Sequence, residues 1–465
     1  MAPVAMILDT VLLSRLQFAF TIGYHILWPA YTIGISGFIV ILNLFWLQTR
    51  NEVYRDQLRF WIRLFALGFA MGVVTGIVLS YEIGTNWSAF AERTSNVIAP
   101  FFTYEVLTAF FLEAGFIGIM LFGMDRFPPG LHMLACTMVA VGAIASAFWI
   151  LAANSWMQTP AGFRMEGDAF RVVSWWQAIF TPSFPYRLIH MVIAAYLAGT
   201  FVVIGVMGWY LWRNEHVAFA RAGFAIAIAI AAVLAPLQLL AGDAHGLNTL
   251  RYQPIKVAAM EGDWESRTQQ PLILFAWPDM EQERNRFEIA IAGWGSLILT
   301  HNANGFVQGL KSVAAAERPN VPIVFFAFRL MVGIGLALIA IAWTGVFLSL
   351  LGRLYRTRWF SLVCALSSPL GFVAILCGWT VTEVGRQPWL VYGRLRTAEA
   401  AAPVPAEAVA SSFALFVIVY ALLLLAFFYY AARIVFAGPQ ARSPARVPSH
   451  VRPGRDSAPA RGPAG

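Results

Sequence analysis

The stretch PIVFFAFRLMVGIGLALIAIAWTGVFLSLL, residues 322–351, carries one charge, Arg329, in an otherwise apolar run. As an α-helix it is long enough to cross the roughly 30 Å of hydrocarbon in a bilayer. Similar runs lie at 12–47, 58–82, 98–123, 131–154, 186–212, 218–241, 359–383 and 411–436. Membrane β-strands would instead alternate over about ten residues. Ala225–Ala232 does alternate alanine and isoleucine, but inside a much longer apolar segment. The expected fold is an all-α polytopic membrane protein, with about nine transmembrane helices and one long extracytoplasmic loop.

Composition agrees. Of 465 residues, 59% are hydrophobic and 12% charged, against roughly 25% charged in an ordinary soluble domain. This composition argues against a soluble enzyme, a nucleic-acid binder and a disordered scaffold. The formal charge of +8 comes from arginines between apolar runs and in the tail, a pattern that orients a membrane protein. Cys136, Cys364 and Cys377 stand singly in apolar runs, which leaves no disulfide framework, zinc ribbon or covalent c-type haem motif.

Four parts follow: helices 1–6 over 1–241, a loop over 242–321, helices 7–9 over 322–436, and a basic low-complexity tail over 437–465. Arg50, Arg55, Arg59, Arg63, Arg126, Arg213, Arg221, Arg353, Arg356 and Arg358 all fall on one side, which the positive-inside rule makes cytoplasmic. The N-terminus is then periplasmic and the C-terminus cytoplasmic. Asp9, with no basic stretch before Arg15, marks the first segment as retained rather than a cleaved signal.

Charged groups within hydrocarbon cost about 2.5–3.5 kcal/mol each on insertion scales, so they are candidate functional groups. His25 sits midway along span 1, His190 near the start of span 5, Met331 early in span 7 and Glu383 near the end of span 8. Glu105 and Glu113 share span 3; eight residues of α-helix separate them by roughly 80°. A His and a Met from different helices can supply the axial ligands of a b-type haem, and His25 and Glu383 could hold others. The alternative is a haem-free proton-coupled transporter whose relay is Glu105, Glu113 and Glu383. The absence of an evident internal repeat weighs against it.

Several strings carry a more specific signal: Ser14-Arg-Leu-Gln-Phe-Ala19 before Tyr24-His25, Gly84-Thr-Asn-Trp-Ser88, Glu105 through Phe110-Phe-Leu-Glu113, and Ala153-Asn-Ser-Trp-Met-Gln158. With them stand Lys256-Val-Ala-Ala-Met-Glu261 followed by Trp264-Glu265, Phe326-Ala-Phe-Arg329-Leu-Met331, and Gly378-Trp379 through Glu383-Val-Gly-Arg-Gln-Pro-Trp389. On these the chain resembles subunit I of the cytochrome bd-type quinol oxidases, from about residue 8 to 436. The passage from Glu283 to Phe325 lacks an extra insertion and resembles the short Q-loop branch, which includes the cyanide-insensitive oxidases.

The resemblance implies a terminal oxidase that oxidises ubiquinol or menaquinol and reduces dioxygen to water, building proton-motive force without a pump. It implies His190 and Met331 as ligands of a low-spin haem b, with Arg329 near its propionates. His25 and Glu383 would ligate a high-spin haem b and a third haem, d-type or b-type. Trp379 would lie between haems, and Arg386 would neutralise haem carboxylates. Glu105 and Glu113 would deliver protons. Lys256 would orient the quinol in the loop, the family's Q-loop, and Glu261 would take its proton. A second large subunit, a small single-helix subunit, lipid and a bacterial inner membrane complete the expectation.

Overall fold

The structure is a computed structural model and describes residues 9–439. The tail expected over 437–465 falls almost wholly outside these residues. Among them, nine helices are long and apolar enough to cross a membrane: α1 (Thr10–Thr49), α2 (Glu52–Thr85), α3 (Ser88–Phe122), α4 (Pro129–Gln158), α5 (Phe184–Arg213), α6 (Val217–Tyr252), α7 (Val321–Leu350), α8 (Arg358–Val384) and α9 (Ala406–Ala437). Each contains one of the expected apolar runs apart from a residue or so at its ends.

Local chemistry sets the ends. Asp9 caps α1 by accepting the Val11 N–H at 3.0 Å, Asn51 caps α2 through Val53 at 3.0 Å, and Asn320 caps α7 through Ile323 at 3.2 Å, satisfying N–H groups that helix starts leave free. Helix α8 is interrupted at Ser367–Pro369 between its two segments, Arg358–Leu366 and Leu370–Val384.

The sixth helix departs most from expectation. It continues to Tyr252, past residue 241, where the loop was expected to begin. Asp243, His245, Asn248 and Arg251 end the apolar run without ending the helix. The connection to α7 is folded: a short helix Pro254–Glu261, a hairpin of β-strands Leu272–Asp279 and Arg284–Ile291, and a helix Trp294–Thr300. The acidic run 279–283 is the hairpin turn, where Asp279 accepts the N–H groups of Glu281 and Gln282 at 3.0 and 2.9 Å.

Helices α1 and α5 form the centre, each packed against the other and against α4 and the second segment of α8. They touch backbone to backbone: a Cβ built on Gly34 would lie 2.6 Å from the Gly199 Cα and from the Ala195 carbonyl oxygen. Only glycine permits that approach. His25 and His190 each lie nine residues before their helix's glycine, so this parallel contact sets the two rings at one level. On one side of the bundle, Arg55 and Arg59 both reach Asp125 at 2.7 Å, tying the α1–α2 turn to the α3–α4 turn. On the other, Ala402 N–H donates to the Asn86 carbonyl at 2.9 Å and Tyr392 N–H to that of Met157 at 3.0 Å.

Candidate functional site

Glu383 is the hub. Its Oε1 accepts from the Asn154 amide at 3.0 Å and the Gln158 amide at 3.3 Å, and its Oε2 pairs with Arg386 one turn along. Asn154 accepts in turn from Arg187 on α5. Lys256 Nζ donates to Gln158 Oε1 at 2.7 Å. Burial, with Arg187 and Arg386 adding repulsion, holds the Lys256 ammonium well below the usual lysine range, against the pull of Glu383. Burial likewise lowers Arg386.

The charge count here does not close. Two guanidinium groups, permanently charged, face a single carboxylate, and Lys256 adds a third positive charge whenever it is protonated. Arg187 Nε and Arg386 Nη1 make no hydrogen bond among the described residues, although both are buried. Orphaned, buried cationic donors are costly unless an anion completes them.

Lys256 and Glu261, expected to act together, turn to different partners. Five helical residues rotate them by roughly 140°. Lys256 joins the Glu383 cluster, while Glu261 Oε2 pairs with Arg329 Nη2 at 2.7 Å. Arg329 also donates to the Ile273 carbonyl at 2.9 Å through Nε and 2.7 Å through Nη2. It thereby pins the hairpin to α7, two residues from Met331.

Next to His25 lies an informative contact. Its Nδ1 is 2.8 Å from Thr75 Oγ1, whose own hydroxyl proton is committed to the Met71 carbonyl at 2.8 Å. With the Thr75 proton on that carbonyl, Nδ1 is the donor of this bond, and the Nε2 lone pair is left for a metal, the state of a metal-binding imidazole. Glycines keep the other candidates clear: a Cβ at Gly242 would come 3.3 Å from the His190 ring, and one at Gly378 would come 3.0 Å from Met331 Sδ. Trp379 follows Gly378 and packs between the clusters around Ile26 and Leu151.

Glu105 and Glu113 do not keep their expected offset. Residues Val106–Phe110 form a π turn, which adds one residue to the helix and removes about 100° of rotation. The two acids then lie roughly 20° apart and both meet α4. Ser146 donates to Glu105 at 2.8 Å, and a Cβ at Gly142, one turn away, would come 2.5 Å from Glu113 Cγ.

The sequence reading missed four groups. Arg187 is an ionisable residue at the start of a span and satisfied the criterion applied to the others. Glu82 sat at the edge of a run, yet it is fully buried, accepting from Thr21 at 2.5 Å. His245, 5.5 Å from His190 between ring centroids, was assigned to the loop. Asp263 lies in the same loop and had no role assigned to it.

The donor set fits haem: an imidazole with a free nitrogen, a second imidazole, a thioether, a carboxylate, and buried guanidinium groups lacking an anion. Fold and site thus define a multi-pass helical membrane protein with a cationic, cofactor-compatible interior. The model of the cytochrome bd terminal oxidase subunit I family matches residues 13–439, and the chain belongs to that family. It is 31% identical over 503 residues to the cytochrome bd-II ubiquinol oxidase subunit 1 of Escherichia coli (strain K12), covering 93% of this chain and 98% of the relative. It is 33% identical over 407 residues to the cytochrome bd ubiquinol oxidase subunit 1 of Bacillus subtilis (strain 168), covering 85% and 87%. The structure of bd oxidase from Geobacillus thermodenitrificans superposes with a TM-score of 0.87 at 30% identity, over 93% of this chain and 99% of that one.

Proposed function

We propose that this chain is the haem-bearing subunit of a quinol oxidase that reduces dioxygen to water. The observation that carries the reading is the buried excess of guanidinium charge around Glu383, with donors aimed at no protein acceptor. Haem propionates are anions of the required kind. Family membership favours this reading over the haem-free transporter.

His190 and Met331 would hold a low-spin haem b, with Arg329 near its propionates. His25 and Glu383 would hold the high-spin haem b and a third haem of b or d type. When bound, these groups accept the quinol's electrons and pass them to dioxygen.

The chain's own residues supply the rest. Thr75 fixes the tautomer of His25. Arg187 and Arg386 hold carboxylates, and Asn154 and Gln158 fix the orientation of Glu383. Glu105 and Glu113, aligned by the π turn along α4, carry protons from the cytoplasmic side. Glu261, held by Arg329, faces the quinol in the folded connection before α7, the expected Q-loop. Lys256, on the opposite face of the same short helix, links that region to the Glu383 cluster. The names of the two relatives support ubiquinol as the substrate. Subunit II and a small single-helix subunit would cover lipid-exposed helices in a bacterial inner membrane.

The test is a pyridine haemochrome assay and a reduced spectrum of the purified complex. Bound haem is expected, and replacing His190 or Met331 should remove the low-spin band while high-spin absorbance persists. Colourless protein, produced with haem and subunit II supplied, overturns the reading.

A further inference from the structure

The connection between α6 and α7 holds one buried acid that the pairings above leave unused. Asp263 is 1% exposed, and neither carboxylate oxygen makes a well-formed hydrogen bond among the described residues, although the Gln270 side chain acts on it as a weak donor. Its backbone is fixed independently: the N–H donates to the Ala258 carbonyl at 2.8 Å, and its own carbonyl accepts the Leu310 N–H at 2.9 Å. The charged groups acting on it are Glu261, Arg267 and Arg329. Both cations are committed elsewhere, Arg267 to Gln270 at 2.7 Å and Arg329 to Glu261 at 2.7 Å. A carboxyl buried with so weak a polar partner contributes nothing to stability that an amide could not supply. Its presence calls for a chemical reason.

Resting on the quinol-oxidase reading, we propose that Asp263 is a catalytic proton acceptor of the quinol site, taking one ring hydroxyl proton beside Glu261. Glu261 has an oxygen bound to Arg329 and serves the other hydroxyl. A quinol becomes a quinone by losing two protons and two electrons. One ring O–H bond breaks as a carboxyl O–H forms on Asp263, and the second proton goes to Glu261. The two electrons leave along the oxidase's own route to dioxygen. Each acid then releases its proton to solvent and is ready again. Burial pushes the Asp263 carboxyl up to about 7, with Glu261 adding to the rise and Gln270, Arg267 and Arg329 opposing it. A base poised near the working pH is the efficient kind.

The experiment uses the complete oxidase with a short-chain quinol, measuring kcat/KM from about pH 5.5 to about 9, together with the reduced spectrum and carbon monoxide binding. For the parent enzyme kcat/KM should climb through an inflection near 7, since a base acts only when ionised. Asp263→Asn should lose that inflection and fall on the order of 100-fold, with spectrum and carbon monoxide binding intact. Asp263→Glu should restore a displaced inflection. An Asp263→Asn profile matching the parent's overturns the proposal, and so does loss of the low-spin band, which would mark the residue as structural. A parent enzyme that carries haem but oxidises no quinol would instead sink the quinol reading itself.

Discussion

Asn154 shows how a single neutral side chain can hold two buried charges. Its oxygen accepts from Arg187 while its amide donates to Glu383 at 3.0 Å. Asn154→Leu strips one partner from each, at a cost of about 1–3 kcal/mol apiece. A lower Tm and weaker high-spin haem absorbance are expected, with the low-spin band retained. Asp263 carries a pH signature separate from turnover. Its folded carboxyl titrates at about 7 against an ordinary 3.8, so between those values the folded connection binds a proton that the opened one does not. The contribution of this carboxyl to stability is therefore greatest at acid pH and is lost as pH rises toward 7, by at most on the order of 4 kcal/mol. Hydrogen exchange at the Leu310 amide, corrected for intrinsic rate, should report easier opening over that range, and Asp263→Asn should flatten it. Such pairings were only partly legible in the sequence. Glu383 and Arg386 share a helical turn, and their partnership could be read from spacing. Lys256 and Gln158 lie far apart in the chain and meet only because α4 and the short helix Pro254–Glu261 converge.

At the scale of elements, apolar length gave the helices, and their polar extensions escaped it. The end of α6 is polar because it lies over His190 rather than against lipid, and a hydropathy window cannot tell those cases apart. The π turn in α3 was equally invisible, since nothing in Val-Leu-Thr-Ala-Phe dictates one extra residue per turn. Its effect is testable. Deleting the exposed Leu107 should let the turn close as ordinary α-helix and swing Glu113 by about 100° relative to Glu105. Turnover is expected to drop on the order of 100-fold, the low end of what one positioned proton-transfer group contributes, with the low-spin spectrum unchanged. The α1–α5 contact makes a contrasting prediction. Gly34→Ala forces apart backbones that already touch, which should cost about 1–3 kcal/mol, read as a lower Tm. Because His25 and His190 are levelled by that contact, the spectra of both haem types should change together.

For the molecule as a whole, the two faces differ in charge and in how their loops interlock. Arg55 and Arg59 converge on Asp125, and the two guanidinium groups hold that carboxyl below the usual range. Arg213, Arg353, Arg356 and Arg358 lie on the same face, because the chain crosses the bundle twice between each of these turns and the next. The opposite face carries the hairpin 272–291, the turn after α2 and the segment 389–402, where Arg396 pairs with Glu317. Lys and Arg near span ends resist translocation, so the arginine-rich face should be cytoplasmic and the quinol site periplasmic. That sidedness decides the energetics. On the proposed function, protons released by quinol would leave outside while those consumed by dioxygen would be drawn from inside past Glu113 and Glu105, separating charge without a pump. Single cysteines at exposed Glu215, between α5 and α6, and exposed Glu281, in the hairpin turn, should distinguish the arrangements. A membrane-impermeant maleimide added to intact spheroplasts should label Glu281→Cys and spare Glu215→Cys, with the reverse in inverted vesicles. The opposite result would place quinol protons in the cytoplasm and remove the charge separation, whatever the haems do.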